Sequence, residues 1–288
     1  MDTLPFALIM VSAASHALWN FLAKGSRDKD AHMLLINLSS QVTVLPVFLL
    51  ILGDWSFPAA ALPFLLISGA AEVLYFLSLS RAYEEGDLSI VYPIARSSPM
   101  FVAILAFALL GERLSAWGVA GILLIVAGVY VLHLRGAGNL LGPLGSLRGR
   151  PTLFALAAAL GTTVYSLMDK LGVTAVDPVR YAFWLEIFVS LMFAPVIIQT
   201  RGLGGLAAEW RGGWLRISVS GFIMRVGYLL VLYTMTLAPV SYILAMRQVS
   251  VVLGALLGVA LLKESYGRER LIGSAIIFAG VYILGALA

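Results

Sequence analysis

The chain has 288 residues, 61% hydrophobic and 12% charged, with a formal net charge of +4. So few charged side chains cannot cover a soluble domain, so the bilayer must be the solvent for most of the chain, and the positive balance reports orientation in a membrane rather than a nucleic-acid-binding face. The absence of cysteine excludes disulfides and thiol catalysis, and three scattered histidines argue against a metal cluster.

Apolar runs of about 20 residues, each enough to cross about 30 Å of hydrocarbon, recur along the chain. They predict ten spans, at 4–24, 31–52, 59–83, 88–110, 114–134, 152–170, 178–199, 214–235, 239–262 and 268–287. No basic residue precedes the first run and no small-residue cleavage site follows it, so it reads as a span and not as a cleaved signal. Turns are marked by Gly53-Asp54, Glu85-Gly86-Asp87, Gly111-Glu112 and Asp177-Pro178. The one longer connection, Arg135 to Arg150, is rich in glycine. The expected units are 1–134, a linker at 135–151, and 152–288.

The chain repeats itself. At a shift of 152 residues Ser89 to Leu132 falls on Ser241 to Leu284 without a gap, about a third of the positions being identical. Glu112 matches Glu264, Gly121 matches Gly273, and Gly128-Val129-Tyr130 matches Gly280-Val281-Tyr282. HALWNFLAK at the end of span one aligns with TTVYSLMDK at the end of span six, and Asp28 with Pro46 matches Asp177 with Pro195. Because five is an odd number, the second copy enters the membrane from the opposite side. Inverted repeats are a recurrent construction of secondary transporters, with substrate bound between the halves.

Loop charges orient the chain. The odd-numbered connections hold Lys24, Arg27, Lys29, Arg81, Arg135, Arg148, Arg150, Arg201, Arg211, Arg216, Lys263, Arg268 and Arg270; the even-numbered ones hold Arg113 and Lys170, with Arg180 at the mouth of span seven. The positive-inside bias makes the odd connections cytoplasmic and puts both termini outside.

Candidate functional residues lie inside the spans, where an ionisable group costs about 2.5–3.5 kcal/mol or more and normally faces a cavity or a partner. Glu72 and Arg225 occupy corresponding positions of spans three and eight, with Tyr75 and Tyr228 on the same faces. They read either as a structural ion pair between the halves or as part of a site. Arg96 sits between Pro93 and Pro99 in span four, Arg247 and Gln248 in the matching part of span nine, and Glu186 in span seven. This set carries one excess positive charge, which favours a ligand with a carboxylate, gripped by guanidinium through two hydrogen bonds. The competing reading of Arg96 and Arg247 is snorkelling to a membrane face. His16, Trp19 and Asn20 share the end of span one, and Trp19 corresponds to Tyr165. With Tyr75, Trp184 and Tyr228 these rings could line a pocket for a flat substrate, against the plainer reading of lipid or helix contact. Gly254 with Gly258, Gly121 with Gly128, and Gly273 with Gly280 read as helix-packing spacings. No P-loop, nucleophile elbow, HExxH or dinucleotide turn is present.

Two five-span halves, each with a glutamate turn (LLGERLS and LLKESYG) and a last run ending GVYVL or GVYIL, resemble the EamA domain pair of the drug/metabolite transporter superfamily, and HALWNFLAK resembles the opening signature of many bacterial members. The resemblance implies an all-α membrane fold of ten transmembrane helices around a central cavity, with peripheral fifth and tenth helices. It also implies transport of small metabolites, often amino-acid export, across a bacterial inner membrane. Among characterised branches the chain is similar to the YddG-type exporters of aromatic amino acids. Many members are drawn with both ends in the cytoplasm, opposite to the loop charges here.

The expected function is export by alternating access, with Arg96, Arg225 and Arg247 on a carboxylate, the aromatic residues on the side chain, and Glu72 or His16 taking a proton. The expected partners are a small-molecule substrate, an amino acid or other small carboxylate, and membrane lipid, with no cofactor, metal or nucleic acid and with a homodimer left open. Alternatives are an uptake carrier for organic anions or phosphonates and, outside transport, a membrane-embedded enzyme or assembly subunit.

Overall fold

In lipid a chain must satisfy its backbone polar groups internally, so its apolar runs fold as helices. The computed structural model describes residues 2–23, 25–86, 88–132, 134, 149–262 and 267–288, the side chains of 88–90 and 261–262 excepted. Among them the secondary structure is helical, without strands. The first half comprises α1 (Thr3–Ala23), α2 (Lys29–Ile51), a 3-10 turn at Ala59–Ala61, α3 (Leu62–Glu85), α4 (Leu88–Ala95), α5 (Ser98–Leu110) and α6 (Ala116–Leu132). The second comprises α7 (Arg150–Ala175), α8 (Pro178–Met235), α9 (Val240–Met246), α10 (Val249–Leu262) and α11 (Arg268–Ala286).

Eight described stretches are long and apolar enough to cross a membrane, Val91–Leu110 and Val240–Ala260 each counting as one; Ala116–Leu132 is apolar but shorter. Leu50, Val42, Phe107 and Leu109 are exposed on the outside, as a lipid-facing surface requires.

Two elements depart from the expected spans. Spans seven and eight lie in one helical stretch, α8, of 58 residues, which leaves helical geometry at Gly202 (φ 69°, ψ 163°) and Gly213 (φ −171°, ψ 39°). The positive φ at Gly202 is one that glycine adopts without a Cβ clash. Between them, 203–212 is helical where a loop was expected, and its Glu209 is buried. That carboxylate accepts from the Arg27 and Asp28 backbone N–H groups, each at 3.3 Å, and lies 2.9 Å from His32 Nδ1, anchoring the segment to the corner between α1 and α2.

Spans four and nine are each two helices rather than one. They break at Arg96-Ser97 and at Arg247-Gln248, positions that the 152-residue shift nearly superposes. At both breaks the backbone makes short i→i+3 bonds, Ser97 N–H to Ile94 O (3.1 Å) and Gln248 N–H to Ala245 O (3.0 Å), so it stays satisfied while the side chains swing to a new direction.

The repeat is visible in the local chemistry. Asp28 and Asp177 are the N-caps of α2 and α8; each carboxylate accepts two backbone N–H groups of the first turn at 2.9–3.1 Å. α6 and α11 pack antiparallel through crossed glycines. A Cβ at Gly280 would stand 2.7 Å from the Gly121 carbonyl oxygen, and one at Gly128 would stand 2.9 Å from that of Gly273. Ser15 meets Gly227 between α1 and α8, as Gly161 meets Tyr75 between α7 and α3. At Gly254 the spacing does not serve this purpose: a Cβ there meets nothing within 4 Å, and the residue lines a cavity wall with Gly258.

Contacts between connections define two faces. On one, Arg201 reaches Asp28 (3.5 Å), Asp30 (2.5 Å) and Glu84 (3.8 Å), drawing together the first, third and seventh connections. On the other, Arg180 donates to Asp54 (2.5 Å) and to Ser56 O (2.9 Å). There too the turn glutamate Glu112 caps α9, accepting from Val240 N–H (2.7 Å) and Ser241 Oγ (2.6 Å), and Lys170 donates to the carbonyls of Met235 and Ala238. Lys24, Arg135, Arg148, Lys263, Glu264 and the linker core 135–148 lie outside the described residues.

Candidate functional site

A cavity of about 1020 Å³ enters from the odd-connection face, with Asp28, Glu84, Arg201 and Glu269 near its mouth and Tyr75, Tyr83, Tyr92 and Arg96 further in. It meets an inner cavity of about 100 Å³ lined by Ser12, Tyr165, Tyr228, Arg247 and Gln248; His16, Trp19, Tyr75, Arg96 and Ser250 line both. The two arginines come from the two helix breaks, which is why they face inward. Neither is in a position to snorkel.

The lining is ordered by ring and amide contacts. The Arg96 guanidinium lies 5.3 Å from the centre of the Tyr92 ring, a cation–π geometry. Tyr92 stacks on Tyr83 at 6.3 Å, and Tyr75 meets Tyr165 edge-on at 6.0 Å. His16 sits edge-on to Trp19 at 5.3 Å, its Nδ1 is 3.5 Å from an Arg247 nitrogen, and Asn20 Nδ2 donates to the His16 carbonyl at 2.7 Å. Inside this lining three buried polar atoms lack a hydrogen-bond partner among the described residues: His16 Nε2, Arg247 Nε and Gln248 Oε1. Buried polar groups are normally paired, so the inner cavity presents hydrogen-bonding capacity to whatever enters it. Among the described residues no three Asp, Glu or His side chains group as metal ligands.

Nine of the expected residues thus converge: His16, Trp19, Asn20, Tyr75, Arg96, Tyr165, Tyr228, Arg247 and Gln248. Four lie elsewhere, and their expected roles are corrected by geometry. Arg225 does not pair with Glu72. It is ion-paired with Glu186 and donates to Ser40 Oγ at 2.9 Å, and Asn37, the repeat counterpart of Glu186, donates to the same carboxylate while accepting from Ser190 (2.6 Å). This network joins α2 to both crossing parts of α8 and lines neither cavity. Glu72 is buried beside Tyr228 without lining either cavity. Trp184 belongs to an aromatic group under the opposite face, 5.2 Å from Phe57 and 5.6 Å from Phe183.

Tyr83, Tyr92 and Asp169 were not singled out by the sequence. Asp169 is fully buried and accepts from Ser68, Tyr181 and Tyr228. Its one signal was an acidic residue where the repeat has Ala23; the expected span ended at 170, whereas α7 runs on to Ala175 and carries it inside.

Comparison with known proteins bears on the fold and the family. A relative from Bacillus subtilis (strain 168), described as the uncharacterized transporter YetK, is 25% identical over 212 residues, 73% of this chain; the chain spans 62% of that relative's length. A solved structure described as "Crystal structure of protein" superposes with a TM-score of 0.74 at 19% identity, over 99% of this chain and 97% of that one, a likeness of fold. The sequence profile of the EamA-like transporter family matches residues 3–134 and again 150–286. The chain is a multi-pass membrane protein and belongs to the EamA-like transporter family.

Proposed function

We propose that this chain is a secondary carrier for a small organic carboxylate, made of two inverted five-helix copies, 1–134 and 152–288, that cross the membrane ten times around one cavity. The crossed glycines of α6 and α11, the paired caps Asp28 and Asp177, and the double match of the family profile support the two-copy reading. Breaking α8 at Gly202 and Gly213 and counting α6 brings the crossings to ten. Loop charges make the odd-connection face cytoplasmic in a bacterial inner membrane, with both termini outside, so the cavity opens inward.

The observation that carries the substrate class is the pair Arg96 and Arg247, each at a helix break, at the inner end of a tyrosine-lined cavity. Two guanidiniums in a place of low dielectric favour an anion, and the rings favour a flat one. Aromatic amino acids, whose export the YddG-type likeness implies, meet both conditions. However, among the described residues no carboxylate lines the inner cavity to receive an ammonium group. That observation favours the second reading, a carrier for aromatic or other organic acids, phosphonates included.

Thermal unfolding of the purified protein with aromatic amino acids, the corresponding acids lacking the amine, and phosphonates tests this. A ligand at 100 times its Kd adds about 2.7 kcal/mol. Stabilisation by at least one acid is expected, reduced tenfold or more in apparent affinity by Arg247→Gln or Arg96→Gln. Stabilisation by none, or stabilisation indifferent to both replacements, would overturn the proposal.

A further inference from the structure

Asp169 lies within α7, fully buried, between the inner cavity and the closed face. Among the described residues it forms no ion pair; its oxygens are taken by hydroxyls. Ser68 on α3 (2.6 Å) and Tyr181 on α8 (3.0 Å) donate to Oδ1, and Tyr228 on α8 donates to Oδ2. The charged and titratable groups acting on it are Glu72 from α3, Tyr181 and Tyr228 from α8, and Arg247 from the break after α9. Arg96, from the break after α4, is held over Tyr92, and Lys170, next along α7, is bound to carbonyls. Arg225 is held by Glu186. Asp169 and Glu72 therefore act on each other in a place where water does not screen them, and two adjacent buried carboxylates disfavour being charged together.

We propose that Asp169 is the proton-binding site of the carrier and that Tyr228, which lines the inner cavity, is the relay that reports its protonation state to the substrate. The inference rests on the carrier reading above. Binding adds one proton to a carboxylate oxygen, and no other covalent bond changes. With Asp169 charged, Tyr228 spends its hydrogen on Oδ2. With Asp169 neutral, the carboxyl O–H donates to the Tyr228 oxygen, and the tyrosine hydrogen is released from Oδ2 to its other neighbours, Glu72 and the cavity beside Arg247 and Tyr165. The loss of a negative charge that acts on Arg247 works in the same direction, so proton and anion are taken up together. A metal cation fits this cluster poorly, because it requires oxygen lone pairs from all sides whereas these three hydroxyls aim their hydrogens at the carboxylate.

Two measurements on the full chain in lipid test the site. Infrared difference spectra between acidic and neutral samples need no substrate. A protonated-carboxyl band is expected in the parent, absent in Asp169→Asn, shifted in Asp169→Glu and kept in Glu72→Gln. A band kept in Asp169→Asn, or lost only in Glu72→Gln, would overturn the proposal, and the Asp169→Glu shift decides it if the Asn variant does not fold. Second, the affinity of the best-binding acid is measured against pH. In the parent it tightens as pH falls, by up to about tenfold per unit; in Asp169→Asn it is flat, and Tyr228→Phe both weakens and flattens it. A pH dependence unchanged in folded Asp169→Asn, or a sodium dependence in its place, would contradict the inference. If no acid binds the parent, the carrier reading fails while the infrared result still decides the proton site.

Discussion

Arg225 and Arg247 both sit in apolar helices, and the structure gives them opposite work. Arg225 is 1% exposed and spends its charge on Glu186, whereas Arg247 lines the inner cavity, 3.5 Å from His16 Nδ1. Removing one member of a buried pair strands the other and costs about 3–5 kcal/mol. Arg225→Ala is therefore expected to lower the unfolding midpoint sharply, and Arg225→Ala with Glu186→Ala to recover part of the loss. Arg247→Gln should leave the midpoint of the ligand-free protein nearly unchanged. A thermal series that found Arg247 essential for stability and Arg225 dispensable would reverse these assignments. The sequence marked both arginines because charge in an apolar run is legible at once. Their partners were not legible, since Glu186 lies 39 residues away on a crossing whose neighbours only the packed bundle decides.

Helix breaks and glycine crossings govern the next scale. Pro93 and Pro99 announced a disturbance in span four, but nothing comparable marks Arg247-Gln248, and that break follows from its place opposite the first. The helix at 203–212 was hidden by its glycine-rich flanks, which read as a loop, while the burial of Glu209 that holds it is a tertiary effect. Glycine spacing was legible as packing in α6 and α11 and misleading in α10, because a small residue beside backbone and one beside a cavity look alike in sequence. A Cβ at Gly273 would stand 2.5 Å from Leu132 N, and backbone cannot yield as a side chain can. Gly273→Ala is expected to destabilise by about 1–3 kcal/mol. Gly254→Ala, which meets open space, should change stability by less than about 0.5 kcal/mol. Equal effects in a denaturation series would remove α6 and α11 as the close crossing.

At the scale of the molecule one face is open and the other latched. Repeat, loop charges and turn signals are what the sequence offers on the two halves and the two faces, but which face stands open depends on contacts between distant connections. The latch joins Arg180 to Asp54 and Ser56 above an aromatic group of Trp55, Phe57, Phe183 and Trp184. Hydrogen bonds from the Ser56 backbone and side chain, and then the Arg180 guanidinium, hold the Asp54 carboxyl below its usual range. A depressed carboxyl pKa means that the contribution is present at neutral pH and lost only as pH falls through the lowered value, so mild acid leaves the latch closed.

The central claim, one cavity exposed in turn to either side, is tested most directly by thiol labelling, because the chain has no native cysteine. A single Ser250→Cys, on the wall of both cavities, is treated with a membrane-impermeant thiol reagent in intact cells and in inverted vesicles. Reaction from the odd-connection face is expected in the resting protein, and reaction from the opposite face once Arg180→Gln opens the latch. Labelling confined to one face in both proteins, or absent from both, would contradict it.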